Sequence, residues 1–275
     1  MYTLNCKGRL LVLDKPVAMG ILNITPDSFY SGSRIEQSEV LTKAEQMISE
    51  GATILDIGGQ STRPGSDRLT ADEELKRVLP AIEAIKKEFP SVFLSIDTYH
   101  AKVAKETVTT GIDIVNDISA GELDASMLST VASLKVPFIA MHMQGTPNTM
   151  QQNPSYENIT REVVDYFIQK TTACKAAGIV DLILDPGFGF GKTITHNFQL
   201  LKTMEALQIF HVPILAGLSR KSTIWKTLQV TPEEALNGTT VLNTLALTKG
   251  ASILRVHDVK EAMETIKLFE AYTKA

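Results

Sequence analysis

Seven polar side chains close short apolar runs along this chain: Asn23, Asp56, Asp97, Asn116, His142, Asp185 and Arg255. Chains leave cores at polar residues, so one such ending says little. Seven that converge on one face would bring carboxylates, amides and a guanidinium to a single pocket. The loop from Asn23 to Ser33 and the loop from Gly58 to Ser66 mix Gly, Ser and Pro with Phe29 and Arg63, which a solvated turn does not need. That composition suits lids over a site. Further on, Gly217-Leu218-Ser219-Arg220-Lys221-Ser222 and Arg255-Val256-His257-Asp258 each precede a helical stretch. Arg255 can fork two phosphate oxygens and His257 can donate one more hydrogen bond, so these segments together read as an oxyanion site. Taken singly, each basic residue reads as a surface charge paired with a helix carboxylate. The run Asp185-Pro186-Gly187-Phe188-Gly189-Phe190-Gly191-Lys192-Thr193 fails the phosphate-loop template, which needs glycine where Pro186 stands. Its glycines suit a tight turn with close ligand approach, or a purely structural turn.

The elements that must position these residues are legible as apolar runs rich in Ile, Val and Leu. They cover Met19–Asn23, Thr53–Asp56, Val92–Asp97, Ile112–Asn116, Pro137–His142, Asp181–Asp185, Pro213–Gly217 and Ser252–Arg255. Such runs fit strands buried on both faces, as parallel strands are. Helical spacing fills the intervals: 36–50, 72–88, 102–110, 125–134, 156–177, 197–207, 232–248 and 259–272. Thr70-Ala71-Asp72-Glu73 and Thr231-Pro232-Glu233-Glu234 read as helix starts. Eight strand–helix alternations predict a single-domain (β/α)8 barrel, with an open doubly wound sheet as the alternative. Residues 2–13, around Lys7-Gly8, predict a short β-hairpin ahead of the first barrel strand. In a barrel, the loops after the strand C-termini build the active site, which is where the polar endings fall.

The chain has 275 residues, 44% hydrophobic and 21% charged, enough to bury a large core. Its net charge of −4 gives no basic face for nucleic acid. No apolar run reaches the ~18 residues of a membrane span. Met1–Lys7 lacks the pattern of a signal peptide. The two cysteines, Cys6 and Cys174, have no metal spacing, so a reduced cytoplasmic protein is expected. No His-x-His pair favours a metal hydrolase, and His100, His196 and His211 lie in no ligand pattern. His142 reads as a hydrogen-bonded wall and Trp225 as helix packing.

Taken in order, these segments resemble the dihydropteroate synthase family of pterin-binding barrels. The resemblance rests on Met19-Gly20-Ile21-Leu22-Asn23-Ile24-Thr25-Pro26-Asp27-Ser28-Phe29 and on the stretch from Gly51 to Gly65. It continues through Ser95-Ile96-Asp97-Thr98, Val115-Asn116-Asp117, Asp185 to Phe190, Gly217 to Ser222 and Arg255 to Asp258. Its implied reaction condenses a pterin methyl diphosphate with p-aminobenzoate and releases pyrophosphate. It further implies Asp97, Asn116, Asp185 and Lys221 on the pterin's polar edge, with Met141 and Phe190 on the ring faces and Gly217 beside it. Arg255, His257, Asn23 and Thr62 would hold the diphosphate, with Asn23 on a Mg2+ ion. Phe29, Thr62, Arg63, Pro64, Phe190, Lys221 and Ser222 would shape the p-aminobenzoate pocket. Asp97, Lys221, Arg255, His257 and Arg63 are the expected catalytic set, acting by positioning and charge stabilisation on a dissociative displacement. Lys221 is the expected compensator for two carboxylates in one pocket. Asp56 is read as a support that orients Arg63 or the first loop. A homodimer through the late helices is also implied.

Two rivals share the pterin edge. A methyltetrahydrofolate-dependent methyltransferase would not need the loops at 61–64 and 219–222. A non-catalytic pterin-binding relative would have lost Asp27, Phe29 or Arg63, all present here. Gln60 stands where the resembled family commonly has Glu, and Tyr30-Ser31-Gly32-Ser33 departs from its usual continuation.

Overall fold

A computed structural model describes residues 1–24, 34–60, 68–147, 149–150 and 152–275. The chain opens with a hairpin of β1 (Tyr2–Cys6) and β2 (Arg9–Leu13), paired antiparallel from Tyr2↔Leu13 to Cys6↔Arg9. Its two turn residues, Lys7 and Gly8, have φ of 54° and 91°, the handedness that matches strand twist in a tight hairpin. Alternation then works as period 2 requires. Leu4, Cys6, Leu11 and Leu13 face inward and are buried, while Leu10 and Val12 face solvent.

Eight parallel strands follow: β3 (Val17–Asn23), β4 (Ile54–Gly58), β5 (Phe93–Asp97), β6 (Ile114–Asp117), β7 (Phe138–Met141), β8 (Leu182–Asp185), β9 (Leu215–Ala216) and β10 (Ile253–Val256). They pair in sequence from β3 to β8, and β10 joins β3 to β9. The ring closes between β8 and the run into β9 by an isolated parallel bridge, Leu184↔Ile214. This is the (β/α)8 barrel that the alternation predicts, and an open sheet is excluded by that closure. Met19, Ile54, Ile114, Ile139, Ile183, Leu215 and Ile253 fill the bottom of the barrel and pack against the hairpin's buried face. Arg9 anchors the hairpin by donating to the Pro90 and Ser91 carbonyls at 3.1 and 2.7 Å.

The outer layer comprises α1 (Arg34–Ser49), α2 (Ala71–Glu88), α3 (Ala101–Thr110), α4 (Met127–Leu134), α5 (Ile159–Ala177), α6 (Ile194–Lys202), α7 (Ser222–Leu228), α8 (Leu236–Thr248) and α9 (Val259–Lys274). Their apolar faces and the outward side chains of the strands form the main core. The expected start at Thr70 is a capping box: Thr70 Oγ1 accepts from the Glu73 amide and Glu73 Oε2 from the Thr70 amide.

Two helical expectations are corrected. The stretch 197–207 is α6 followed, after Thr203, by a 3-10 helix at Met204–Phe210. The expected helix over 232–248 begins only at Leu236, and α7 precedes it separately. Thr231–Glu234 is instead a turn. Arg220 Nη1 donates to the Pro232 and Glu233 carbonyls at 3.1 and 2.8 Å, acceptors that a continuous helix would use internally.

Candidate active site

Parallel register brings the polar strand endings into one row. Asn23 lies opposite Gly58, Gly58 opposite Asp97, and Asp97 opposite Asn116. Across the mouth, Met141 pairs with Asp185. Arg255 reaches into this row from β10. Its Nε donates to Asp56 Oδ2 at 2.6 Å and its Nη2 to Asp97 Oδ2 at 2.8 Å. The Asn116 amide donates to the same Asp56 oxygen at 3.1 Å. Asp56 is wholly buried, so it orients both Arg255 and Asn116 from below. Sequence assigns Asp56 to orienting Arg63 or the first loop; Arg63 and residues 25–33 of that loop lie outside the described residues, and among the described ones Asp56 holds Arg255, 199 positions away.

Lys221 is not the main compensator of both carboxylates, as expected from sequence. Asp97 is neutralised by Arg255, while Lys221 faces Asp185. Burial raises the Asp97 carboxyl to about 7, against the pull of Arg255 and helped by Asp56, Asp117 and Asp185. Burial also opposes the Arg255 charge, yet Asp56 and Asp97 outweigh it and the guanidinium holds its proton more tightly. Burial raises Asp185, tempered by Lys221 and by the Gly187 amide that donates to its Oδ1 at 2.7 Å. Burial brings the Lys221 ammonium down to about 8 despite Asp185.

The apolar side of the mouth is built from Met141, Tyr99 and Ile118, with Phe190 packed against them. Lys221 bonds the Phe188 carbonyl and lies 4.7 Å from the centre of the Phe190 ring, a cation–π contact. Gly217 leaves open the space between Lys221 and Asp185. A Cβ there would stand 3.8 Å from Lys221 Nζ and 4.0 Å from Asp185 Oδ2. A flat ring with a donor–acceptor edge fits this arrangement, since amide, carboxylates and ammonium line one side and apolar groups another.

Sequence reasoning passed over Lys192. Its buried side-chain nitrogen lies 2.9, 2.9 and 3.0 Å from His142 Nδ1, Gly187 O and Phe190 O, and burial lowers its pKa well below the usual lysine range. The His142 carbonyl lies 3.3 Å away as a fourth acceptor, so the glycine-rich loop carrying Phe190 is held from inside and tied to the end of β7. Lys192, in the run that fails the phosphate-loop template, is therefore a structural strut. His142 is the hydrogen-bonded wall expected, with Tyr166 edge-on at 4.9 Å.

His257 follows β10, and its Nδ1 lies 3.0 Å from Ser219 Oγ. Arg220, one residue on, is clamped by Asp258 through Nε and Nη2 at 2.9 and 2.8 Å. Consecutive residues after β9 thus brace consecutive residues after β10. Ser222 opens α7. Gln60 donates to the Tyr99 hydroxyl at 2.6 Å, tying the start of the second loop to the apolar wall. Phe29, Thr62, Arg63 and Pro64 lie outside the described residues.

Asn23 is the one expected metal ligand. Its carboxamide oxygen lies over Gly58, 3.3 Å from where a Cβ would be, and the residue is exposed at the mouth. Among the described residues no group of three His, Cys, Asp or Glu side chains could hold a metal. A lone hard oxygen fits Mg2+ that takes its other ligands from water and a phosphorylated substrate. No helix among the described residues is long and apolar enough to cross a membrane.

Comparison with known proteins agrees with this geometry. The family model for pterin binding enzymes matches residues 19–257. The chain is 43% identical over 272 residues to the dihydropteroate synthase of Escherichia coli (strain K12), covering 98% of this chain and 96% of that protein. It is 42% identical over 275 residues to the Haemophilus influenzae enzyme of the same name, covering 99% of each. Among solved structures, Yersinia pestis dihydropteroate synthase with a sulfonamide drug complex superposes with a TM-score of 0.92 at 41% identity, covering 99% of both chains. The Xanthomonas albilineans enzyme with 4-aminobenzoic acid gives a TM-score of 0.91 at 38% identity, covering 99% of this chain and 98% of that one.

Proposed function

The chain belongs to the pterin-binding enzymes and, among them, to the dihydropteroate synthases, and from that premise we propose how its own residues carry the reaction. The reaction condenses 6-hydroxymethyl-7,8-dihydropterin diphosphate with p-aminobenzoate to give 7,8-dihydropteroate and pyrophosphate. The observation that carries the assignment of roles is the network joining Arg255 to Asp56 and Asp97, with Asn116 on the same Asp56 oxygen.

Asp97, Asn116 and Asp185 accept from and donate to the pterin's amino-pyrimidinone edge, and Lys221 reaches it between Asp185 and Phe190. Met141 and Phe190 cover the ring faces, and Gly217 lets the ring lie close to Lys221. The diphosphate is held by Arg255 and His257, with Asn23 and Thr62 at its outer oxygens. Mg2+, when bound, would be held by Asn23 and would supply charge neutralisation on the phosphate oxygens. Two nitrogens of the Arg255 guanidinium, Nε and Nη2, are committed to carboxylates, so its orientation is fixed before substrate arrives, and preorganised charge is what a departing diphosphate needs. The carbon–oxygen bond to the diphosphate breaks first, and the electron-rich ring bears the positive charge, with Asp97 beside it. The arylamine nitrogen then forms the new bond and sheds its proton to solvent. Phe29, Thr62, Arg63, Pro64, Phe190, Lys221 and Ser222 form the p-aminobenzoate pocket.

The chain acts as a homodimer in this reading. Leu228, Val241 and Leu245 are exposed on α7 and α8, beside an apolar groove lined by Phe198, Ile224 and Leu242. Val241→Glu should give a monomer by analytical ultracentrifugation, and an unchanged sedimentation coefficient would remove this face from consideration.

The deciding experiment is pyrophosphate release from the pterin diphosphate with Mg2+, with and without p-aminobenzoate. Release should track dihydropteroate formation and collapse in Lys221→Ala and Arg255→Ala. Pterin binding without turnover would point instead to a sequestering relative. Positional isotope exchange in the diphosphate without the amine tests the order of bond breaking, and no scrambling would sink the dissociative scheme.

A further inference from the structure

Ser219 Oγ makes two contacts, both to one residue. The backbone N–H of His257 donates to it at 3.2 Å, and Nδ1 of the same imidazole lies 3.0 Å away. The serine is buried, and its hydroxyl has no other hydrogen-bond partner among the described residues. A hydroxyl offers one proton and two lone pairs. The backbone N–H takes a lone pair. If Nδ1 also carried a proton, it would take the second, and the buried O–H would have nothing to donate to. Only an unprotonated Nδ1 satisfies both groups. The choice of ring nitrogen that bears the proton is set by the partner of the other nitrogen.

We infer that Ser219 is a positioning residue: its hydroxyl donates to Nδ1 and fixes His257 as the neutral tautomer with the proton on Nε2. This rests on the reading that His257 binds the diphosphate. The Nε2–H is then a hydrogen-bond donor to a diphosphate oxygen, and it keeps its proton as the leaving group departs. Pyrophosphate leaves in the charge state in which it was bound, and the imidazole is no general acid. The brace is reinforced one residue further along, where Arg220 grips Asp258 through two nitrogens and so holds the segments after β9 and β10 at fixed spacing.

The test is long-range 1H–15N correlation on histidine-labelled protein, with the His257 signals identified by their loss in His257→Ala. The wild type should show His257 solely as the Nε2–H tautomer at neutral pH. In Ser219→Ala the signals should move toward exchange between the two tautomers. The KM for the pterin diphosphate should rise about tenfold, the loss expected for one hydrogen bond to a charged group. The KM for p-aminobenzoate should stay within about twofold of wild type on the same grounds. Ser219→Thr, which keeps the hydroxyl, should restore both the spectrum and the KM. A wild-type His257 found as the Nδ1–H tautomer overturns the inference without any variant. A tautomer shift in Ser219→Ala with the pterin diphosphate KM unchanged there and in His257→Ala would instead overturn the diphosphate reading and leave the hydrogen-bond assignment standing.

Discussion

At the scale of single residues, Gly217 matters for what it lacks. Its backbone lies outside the left-handed region, so a methyl group costs little in backbone conformation, yet that methyl would occupy the space between Lys221 and Asp185. Gly217→Ala should therefore fold with a Tm close to wild type and raise the pterin diphosphate KM about tenfold or more, as loss of close approach to a polar edge implies. Unchanged KM would show that the ring lies elsewhere. Glu74 makes a different prediction. It is buried on α2 and accepts from the Thr98 hydroxyl at 3.1 Å, and its second oxygen has no hydrogen-bond partner among the described residues. Burial raises its carboxyl to about 8 against the Thr98 hydrogen bond. The folded state thus binds this proton more tightly than the unfolded chain does. That stabilisation is complete below about 4.5, the unfolded value, and is lost as pH rises through about 8. Glu74→Gln cannot ionise, so urea titrations of the variant should show a flatter decline in stability between those two pH values. Parallel pH curves for the two proteins would rule this out.

At the scale of elements, the loop after β8 depends on glycine for backbone reasons. Gly187 has φ of 67°, and a Cβ on it would run into the His142 carbonyl oxygen. Gly187→Ala should destabilise the protein by roughly 2–4 kcal/mol, combining left-handed strain with a backbone clash, and a Tm within a degree of wild type would refute the geometry. This loop also shows where sequence reading stops. Asp185 could be named from its place at a strand end, because parallel strands announce their ends by apolar runs that break into polar residues, and Phe190 from the resemblance carried by the loop that follows. Lys192 could not, since its acceptors are two loop carbonyls and both the imidazole and the carbonyl of His142, 50 positions away. The helix expected over 232–248 starts late for a related reason. Spacing over 232–248 is helical, but Arg220 takes the carbonyls that the first turn would need. Helix starts held by local partners, as at Thr70 and Glu73, were legible from four adjacent residues.

At the scale of the whole molecule, the barrel and its polar mouth were legible because periodicity and strand endings are local. The pairing of Arg255 with Asp56 was not, because it follows only from closing the ring. That ring is uneven. The pairs from β3 to β8 run three to five residues, whereas β9 is two residues long and meets β8 through a single bridge. Asp185 stands on one side of this join and Gly217 with Lys221 on the other. On the proposed roles of these residues, a pterin bound to both sides would act as a clasp across the weakest stave of a cask, supplying rungs that the backbone lacks. Hydrogen exchange at Leu184, Leu215 and Ala216 should be faster than at β4 and β5 in the free protein and should slow most when pterin is added. Equal slowing around the ring would mean that the ligand tightens the barrel as a unit. Preferential slowing at the join would mean that the substrate finishes the hoop it sits in.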